Sequence, residues 1–190
     1  MNPREGYEVR DAKQIRVLGS PVRQAIIDAL AAHGPSTVVE LAELIGKPAD
    51  RLYYHLRRLE KALLVNAVNG GRGSGRRDTK FDVAGRPMFL RYDTTNAANR
   101  RAVRAVTDSL WRAARRDFTR ALSKTDVIPR GKHRNIWSAR LQGLLDADDV
   151  AALNEHIGQI IALFLQQRRP TRTARTLLQF TWSLSPSGPA

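Results

Sequence analysis

Cysteine is absent from this chain of 190 residues, and its four histidines are scattered. The missing cysteines exclude disulfide bonds and thiolate metal sites, and the histidines have no spacing typical of a metal centre. Long apolar runs are missing too, because the longest, Ile160–Leu165, is far too short to span a membrane. Residues Met1–Ala12 are polar and charged, unlike a signal peptide. We therefore expect a cytoplasmic protein without metal, cofactor or membrane partner.

Acidic side chains are few beside the basic ones. The chain has 18 Asp and Glu against 32 Lys and Arg, which gives a formal net charge of +14 and a pI of about 11.2. A protein this basic usually meets a polyanion, and nucleic acid is the first candidate. The alternative is a solvated, arginine-rich surface that reflects genome composition. The length suits one domain, or two small ones that share a core.

The first third of the chain carries start and stop signals for helices. Two helices are predicted over Asp11–Leu18 and Pro21–His33, the second with Ser20 as its N-cap and Gly34-Pro35 as its stop. Thr37 and Glu40 have the spacing of a capping box, which opens a third helix.

A tight turn and a fourth helix should follow. Gly46 suits a left-handed C-cap, and Pro48 suits the start of the next helix. That helix carries a leucine stripe at helical spacing, formed by Leu52, Leu56, Leu59 and Leu63. Two helices joined by such a turn form a helix-turn-helix.

Two strands and a basic loop are predicted next. Leu64–Val68 reads as a strand, Asn69–Arg77 as a glycine-rich loop and Asp78–Val83 as the return strand. Met88–Tyr92 is either a third strand or an extended cover. Helices followed by an arginine-tipped hairpin predict a winged helix-turn-helix, which serves mainly to place a helix in the DNA major groove.

The second half has a different pattern. Ala97–Leu122 reads as a long helix with a stripe of Val103, Val106, Leu110, Ala114, Phe118 and Leu122. Asp146 should cap a second long helix that Pro170 ends. The alternation in Asn135–Gly143 and in Leu178–Leu184 predicts two short strands.

The predicted fold class is therefore α+β. It has a winged helix-turn-helix DNA-binding domain over residues 1–95, followed by a mainly helical C-terminal dimerisation or effector region with two short strands over residues 96–190.

The candidate DNA-reading residues lie on the fourth helix, opposite its leucines. The side chains expected to face outward are Ala49, Asp50, Arg51, Tyr53, Tyr54 and Arg57, with Arg58 beside them. Arg51 could bind guanine by paired hydrogen bonds, and the tyrosines could contact phosphates or thymine methyl groups. Arg57 and Arg58 lie a turn later, where such a helix approaches phosphates. Asp50 could accept from cytosine, or merely favour the positive helix N-terminus.

Each candidate has a simpler reading. Tyr54 or His55 could be half-buried packing residues, and for His55 packing is the preferred interpretation. Arg57 and Arg58 could be ordinary solvated helix residues.

The wing, which consists of this loop and the two strands beside it, carries a basic set formed by Arg72, Arg76, Arg77 and Lys80 around several glycines. Arginine gains from the enhanced negative potential of a narrow minor groove, and glycine permits a mobile tip. The alternative is a surface hairpin that never touches DNA.

Residues 15–92 resemble the ArsR-type winged-helix repressors. LGSPVRQAIIDAL looks like their opening helix, VVELAELIG like their first motif helix, and YYHLRRLEKALLV like their recognition helix and its exit to the wing. The resemblance implies a homodimer on a palindromic operator, usually a repressor that a signal releases. It places DNA contacts on Ala49, Asp50, Arg51, Tyr53 and Tyr54. The chain departs from the family's metal sensors by lacking cysteine, and its C-terminal half is longer than in minimal members.

Other functions fit less well. GGRGSGRR lacks the Gly-Lys-Ser/Thr ending of a phosphate-binding loop, and the Asp146, Asp148 and Asp149 cluster is explained by helix capping, so we expect no catalytic site. A protein-interaction winged helix is disfavoured by the positive charge.

The predicted function is a sequence-specific, double-stranded-DNA-binding regulator, and a non-specific architectural DNA binder is the alternative. Residues expected in the core or at a dimer surface are Leu110, Trp111, Leu153, Ile157 and Phe164. Trp137, Phe180 and Trp182 form either a dense core or a pocket for a small-molecule effector, with Arg112 or Arg115 near it.

Overall fold

The computed structural model describes residues 6–68, 79–166 and 177–186. Its elements, in chain order, are β1 (Tyr7–Val9), α1 (Ala12–Leu18), α2 (Pro21–His33), β2 (Ser36–Thr37), α3 (Val38–Ile45), α4 (Ala49–Lys61), β3 (Val65–Val68), β4 (Lys80–Val83), β5 (Met88–Leu90), α5 (Ala97–Ala121) and α6 (Ala147–Gln166). They form an α+β winged helix-turn-helix followed by a mainly helical region, which confirms the predicted fold class.

The turn between α3 and α4 is built from the predicted local signals. The Thr37 side chain accepts a hydrogen bond from the Glu40 backbone N–H, and the Glu40 carboxylate accepts one from the Thr37 backbone N–H at 2.7 Å. Gly46 ends α3 in the left-handed conformation, at φ 66° and ψ 42°. Pro48 then precedes the first residue of α4. These caps fix where each helix begins and ends, and therefore how α4 is presented.

The end of α4 differs from the prediction. Leu63 does not continue the buried stripe, because α4 ends at Lys61 and Leu63 adopts a left-handed backbone with φ 56°. Its side chain is 65% exposed, and Leu64 is buried in its place. The chain reverses at this residue, so that β3 can begin at Val65.

The predicted hairpin strands belong to a three-stranded antiparallel sheet. β4 lies in the centre, between β3 and β2. Val65 pairs with Val83 and Val68 with Lys80, so the Val68–Lys80 pair lies at the end of the hairpin next to the wing loop. The sequence did not reveal β2, a two-residue strand at the entrance to α3. The loop Asn69–Arg77 and Asp78 lie outside the described residues.

Of the two strands in a second sheet, the sequence predicted only one, and only as one of two alternatives. Met88–Leu90 is a strand, and it pairs in parallel with β1, which the sequence did not predict. The Tyr7 hydroxyl also donates a hydrogen bond to the Leu63 carbonyl at 3.1 Å. The chain's N-terminal segment thus supports the reversal after α4.

The hydrophobic core lies among α1 to α4, the three-stranded sheet and the first half of α5. Fully buried side chains include Ile15, Ile26, Leu30, Leu41, Leu52, Leu56 and Leu59. Arg86 ties this core to β4, because its guanidinium donates to the Leu30 carbonyl at 2.7 Å and pairs with Asp82. Ala102 and Val106 of α5 belong to the same core. The division of the chain at residue 95 stays a prediction.

α5 buries a face that is turned from the expected one. It packs against α1 and α2, and its buried residues are Asn99, Ala102, Val106 and Ser109. Of the predicted stripe, Val106 is buried, whereas Leu110 and Leu122 are 38% and 62% exposed. Small residues dominate the buried face because they allow close approach to α1, and part of the apolar stripe therefore remains uncovered.

The two predicted C-terminal strands do not form in the described residues 135–143 and 177–186. Trp137 is 68% and Leu141 is 92% exposed. An alternating pattern becomes a strand only where a neighbouring strand supplies hydrogen-bond partners, and no described segment lies in place to do so. α6 begins as predicted, since the Asp146 carboxylate accepts from the Asp148 and Asp149 N–H groups at 2.9 Å. Pro170, its expected stop, lies outside the described residues.

An aromatic cluster joins α6 to the segment after it. The Phe180 ring lies 6.4 Å from Phe164 and stacks on Trp182 at 5.3 Å between ring centroids. All three side chains remain close to half exposed. The strand pair, whose aromatic residues were expected to form either a dense core or an effector pocket, is therefore replaced in the described residues by an open aromatic surface.

Candidate nucleic-acid interface

The outer side of α4 is the leading candidate surface. Leu52, Leu56 and Leu59 are buried, which fixes the rotation of this helix against α2 and α3. At about 100° per residue, the positions opposite that stripe face away from the core. They hold Asp50, Arg51, Tyr54, Arg57 and Arg58, and all five are exposed. The surface is cationic and aromatic, apart from one carboxylate at the helix N-terminus.

Two residues expected on this surface are placed beside the buried stripe. Ala49 and Tyr53 are half-buried and pack against the hydrophobic core. Each lies on the flank of α4, because its angle on the helix falls between those of the leucines and the outer side chains. The aromatic side chain that projects furthest is Tyr54, which is 60% exposed.

His55 occupies the other flank. Its ring meets that of Tyr54 edge-on, with 5.3 Å between the centroids. Nδ1 is buried and has no hydrogen-bond partner among the described residues. Burial and the positive charge of Arg23 lower the pKa of His55, which keeps the imidazole neutral near pH 7. This placement matches the interpretation of His55 as a packing residue.

The described end of the wing lies next to the start of α3. Lys80 is exposed at the first position of β4 and pairs with Thr37 of β2. The hydrogen bonds from Thr37, and to a smaller extent the charge of Lys80, lower the pKa of the Glu40 carboxyl. The three wing arginines, Arg72, Arg76 and Arg77, lie outside the described residues.

Three further cations near α4 were missed by reasoning from the sequence. Lys13 and Arg16 of α1 and Arg23 of α2 line a pocket of about 310 Å³ together with Arg58 and Val17. The Arg23 Nε donates to the Val17 carbonyl, which fixes its guanidinium at the pocket wall. The spacing of Lys13 and Arg16 at i and i+3 puts them on one side of α1. Only the packing of three helices shows that this side meets Arg58.

Other kinds of site were searched for in the part of the chain that the structure describes. No group of three histidine, aspartate or glutamate side chains there could hold a metal ion. None of its helices has the length and apolar character needed to cross a membrane.

Comparison with known proteins gives one finding about the family. Residues 18–68 match a family described as a helix-turn-helix domain. The match begins at the last residue of α1, contains α2, α3, α4 and β3, and ends before the wing loop. Comparison with curated proteins found no match. Residues 18–68 therefore form a helix-turn-helix domain, and a domain of this kind supports a DNA-binding regulator.

Proposed function

We propose that this protein is a sequence-specific regulator of transcription, a repressor that binds a palindromic operator as a homodimer. In this proposal α4 is the recognition helix and lies in the major groove. Arg51 and Tyr54 read base edges, and Arg57 and Arg58 contact phosphates. The wing, with Lys80 and the arginines Arg72, Arg76 and Arg77, reaches the backbone or the minor groove. The protein is not an enzyme and acts in the cytoplasm.

The observation that carries the proposal is the orientation of α4. Its leucines are buried while Arg51, Tyr54, Arg57 and Arg58 are exposed. The charged side of α4 therefore faces away from the rest of the protein. The left-handed Gly46 and Pro48 form the turn that separates α4 from α3. A helix presented in this way fits the major groove, where residues near its N-terminus read the sequence.

The homodimer is inferred from apolar surface that the described residues leave uncovered. Leu110 and Trp111 of α5 are 38% and 43% exposed, and Phe164 of α6 is 47% exposed. Exposed apolar patches of this kind often mark protein contacts. A two-fold dimer would also match the half-sites of a palindromic operator.

The repressor role and the response to a signal rest on the resemblance of residues 15–92 to ArsR-type proteins. A small-molecule effector would act by binding the DNA-competent and DNA-incompetent dimers with unequal affinity. The exposed cluster of Phe164, Phe180 and Trp182 is the place where an apolar effector would find aromatic contacts.

The test begins with selection of bound sequences from random duplexes by the full-length protein. Binding of the selected site is then compared with binding of random DNA for Arg51→Ala and for Arg140→Ala. The control also removes one exposed arginine, but from the segment before α6, which has no regular secondary structure. Arg51→Ala should lose about 1–3 kcal/mol on the selected site and little on random DNA. Arg140→Ala should lose little on either.

A non-specific architectural role is the second candidate, because α5 exposes a row of arginines. Arg101, Arg104, Arg112 and Arg115 all lie on its solvent side. An architectural binder would enrich no sequence in the selection, and Arg51→Ala would then weaken binding to every duplex equally. That result would replace the regulator by the architectural protein.

A further inference from the structure

A cationic pocket lies at the far end of the outer side of α4. Lys13 and Arg16 come from α1, Arg23 from α2 and Arg58 from α4, with Val17 completing the wall. The pocket has a volume of about 310 Å³. A water molecule occupies about 30 Å³, so the space accommodates one phosphate group with several waters.

None of these cations forms an ion pair with a carboxylate of the described residues. Within residues 6–68, 79–166 and 177–186, the ion pairs of the protein involve Glu8, Asp82 and Asp117, and none includes a side chain of the pocket. Burial and the neighbouring positive charge of Arg58 lower the pKa of Arg23. Guanidinium groups keep their charge in proteins, so the cost of this repulsion remains until an anion enters.

The position of the pocket on α4 relates it to the rest of the surface. Arg51, Tyr54 and Arg58 are spaced at i, i+3 and i+7, so they share one side of the helix. Seven residues of helix rise about 10.5 Å. When Arg51 points at base edges inside a groove about 12 Å wide, Arg58 reaches toward its bordering backbone. The pocket is therefore placed where a phosphate would arrive.

We propose that the pocket lined by Lys13, Arg16, Arg23 and Arg58 binds a phosphate group. Arginine and lysine donors from three helices converge there, as phosphate oxygens require. The expected source is a backbone phosphate of DNA, which extends the contact surface from α4 to α1 and α2. This source rests on the proposed DNA-binding function, whereas a free phosphate or phosphorylated metabolite would use the same chemistry.

The pocket variant is the full-length protein carrying Lys13→Gln and Arg16→Gln. Both side chains are exposed, and the cap of α1 uses only the Lys13 backbone, so the fold should survive. The matched control, Lys124→Gln with Arg130→Gln, removes the same two charges from the exposed loop after α5. The slope of log affinity against log salt is measured on duplex DNA. The melting temperature is measured as inorganic phosphate replaces chloride at constant ionic strength.

Loss of one phosphate contact flattens the salt slope by about 0.9, which is roughly a 3.5-fold smaller loss of affinity between 50 and 200 mM salt. We expect this change in the pocket variant and not in the control. If all three proteins share one slope, but phosphate raises the melting temperature of all except the pocket variant, the pocket takes a free phosphate.

The proposal is overturned if neither measurement separates the pocket variant from the control, or if both variants change equally. Failure of the proposed function looks different. An architectural protein would bind every duplex without preference, and a protein that does not bind DNA would show no duplex binding at all. The phosphate titration would still decide whether the pocket binds an anion.

Discussion

The left-handed residue that ends α4 gives a prediction whose sign can be worked out from the backbone. Leu63 has φ 56°, a conformation in which a side chain beyond glycine costs about 1–2 kcal/mol. Replacing Leu63 by alanine or by glycine removes the same exposed side chain beyond Cβ. The two variants then differ in the left-handed strain and in the freedom of the unfolded chain, which disfavours glycine by about 0.4–1 kcal/mol. Leu63→Gly should therefore be more stable than Leu63→Ala by about 0.5–1 kcal/mol.

The control position is Leu44, in the last turn of α3, whose side chain is 45% exposed. Its backbone is right-handed, so the same pair of substitutions should rank in the opposite order. The free energy of unfolding of Leu44→Ala should exceed that of Leu44→Gly by about 0.5–1 kcal/mol, because glycine is the poorer helix former. The sign reversal removes effects that are common to any loss of an exposed leucine.

The assay is urea unfolding of the four variants, with the free energy of unfolding taken from the midpoint and slope of each transition. Two hydrogen bonds at position 63 use only its backbone. The Leu63 N–H donates to the Glu60 carbonyl, and the Leu63 carbonyl accepts from the Tyr7 hydroxyl, so alanine and glycine can both keep them. If Leu63→Ala is as stable as Leu63→Gly or more stable, residue 63 does not have the left-handed backbone conformation.

Two other predictions concern pH and assembly. Asp28 is an exposed residue of α2, but desolvation of its carboxyl and the negative charge of Asp117 raise its pKa to about 6. A raised pKa in the folded state gives stability that is lost as pH rises through 6, so Asp28→Asn should raise the melting temperature more at pH 8 than at pH 4.5, and an equal gain at both would contradict this. Trp111→Glu should shift the sedimentation equilibrium from dimer toward monomer, whereas Leu144→Glu, at another exposed apolar residue, should leave it unchanged. Unchanged sedimentation of the Trp111 variant would remove α5 from the dimer surface.

The helix-turn-helix could be predicted because its signals are local. The capping box of Thr37 and Glu40 spans four residues, and Gly46 needs no distant contact to favour a left-handed cap. Each signal depends on hydrogen bonds within one turn of the chain, which the sequence displays directly. Leu63 was misread because its spacing fits the stripe, and spacing alone does not show where the helix stops.

The strands show why an alternating sequence pattern alone does not predict a strand, because strand formation depends on pairing with a second segment. Tyr7 pairs with Met88 across almost half of the chain, and nothing near either residue indicates the other. In Asn135–Gly143 the alternation is present, but the described part of the chain offers no neighbouring strand. A strand is stabilised by its partner strand. A short segment can therefore form a strand that the sequence does not predict, and an alternating segment without a partner can be predicted wrongly as a strand.

The candidate site divides in the same way. Arg51, Tyr54 and Arg58 could be placed on an outer side from the leucine stripe, because a helix relates its own residues by geometry. Lys13 and Arg23 could not, because their proximity to Arg58 arises from the packing of α2 against both α1 and α4. The predicted surface was therefore one helix wide, and the described one includes a cationic pocket built from three.

The rotation of α5 joins the fold to the proposed assembly. A helix with apolar residues over a wide arc can bury either edge of that arc, and the choice depends on what it meets. Here the small side chains Ala102 and Ser109 lie on the buried side of α5, so Leu110 and Trp111 remain on the exposed edge of the arc. Ala102 permits the close approach to α1, while the larger side chains next to it have no cover from the described part of the chain. A second α5 related by two-fold symmetry would cover the same residues in both protomers, and it would hold two copies of α4 at the fixed separation that a palindromic operator requires.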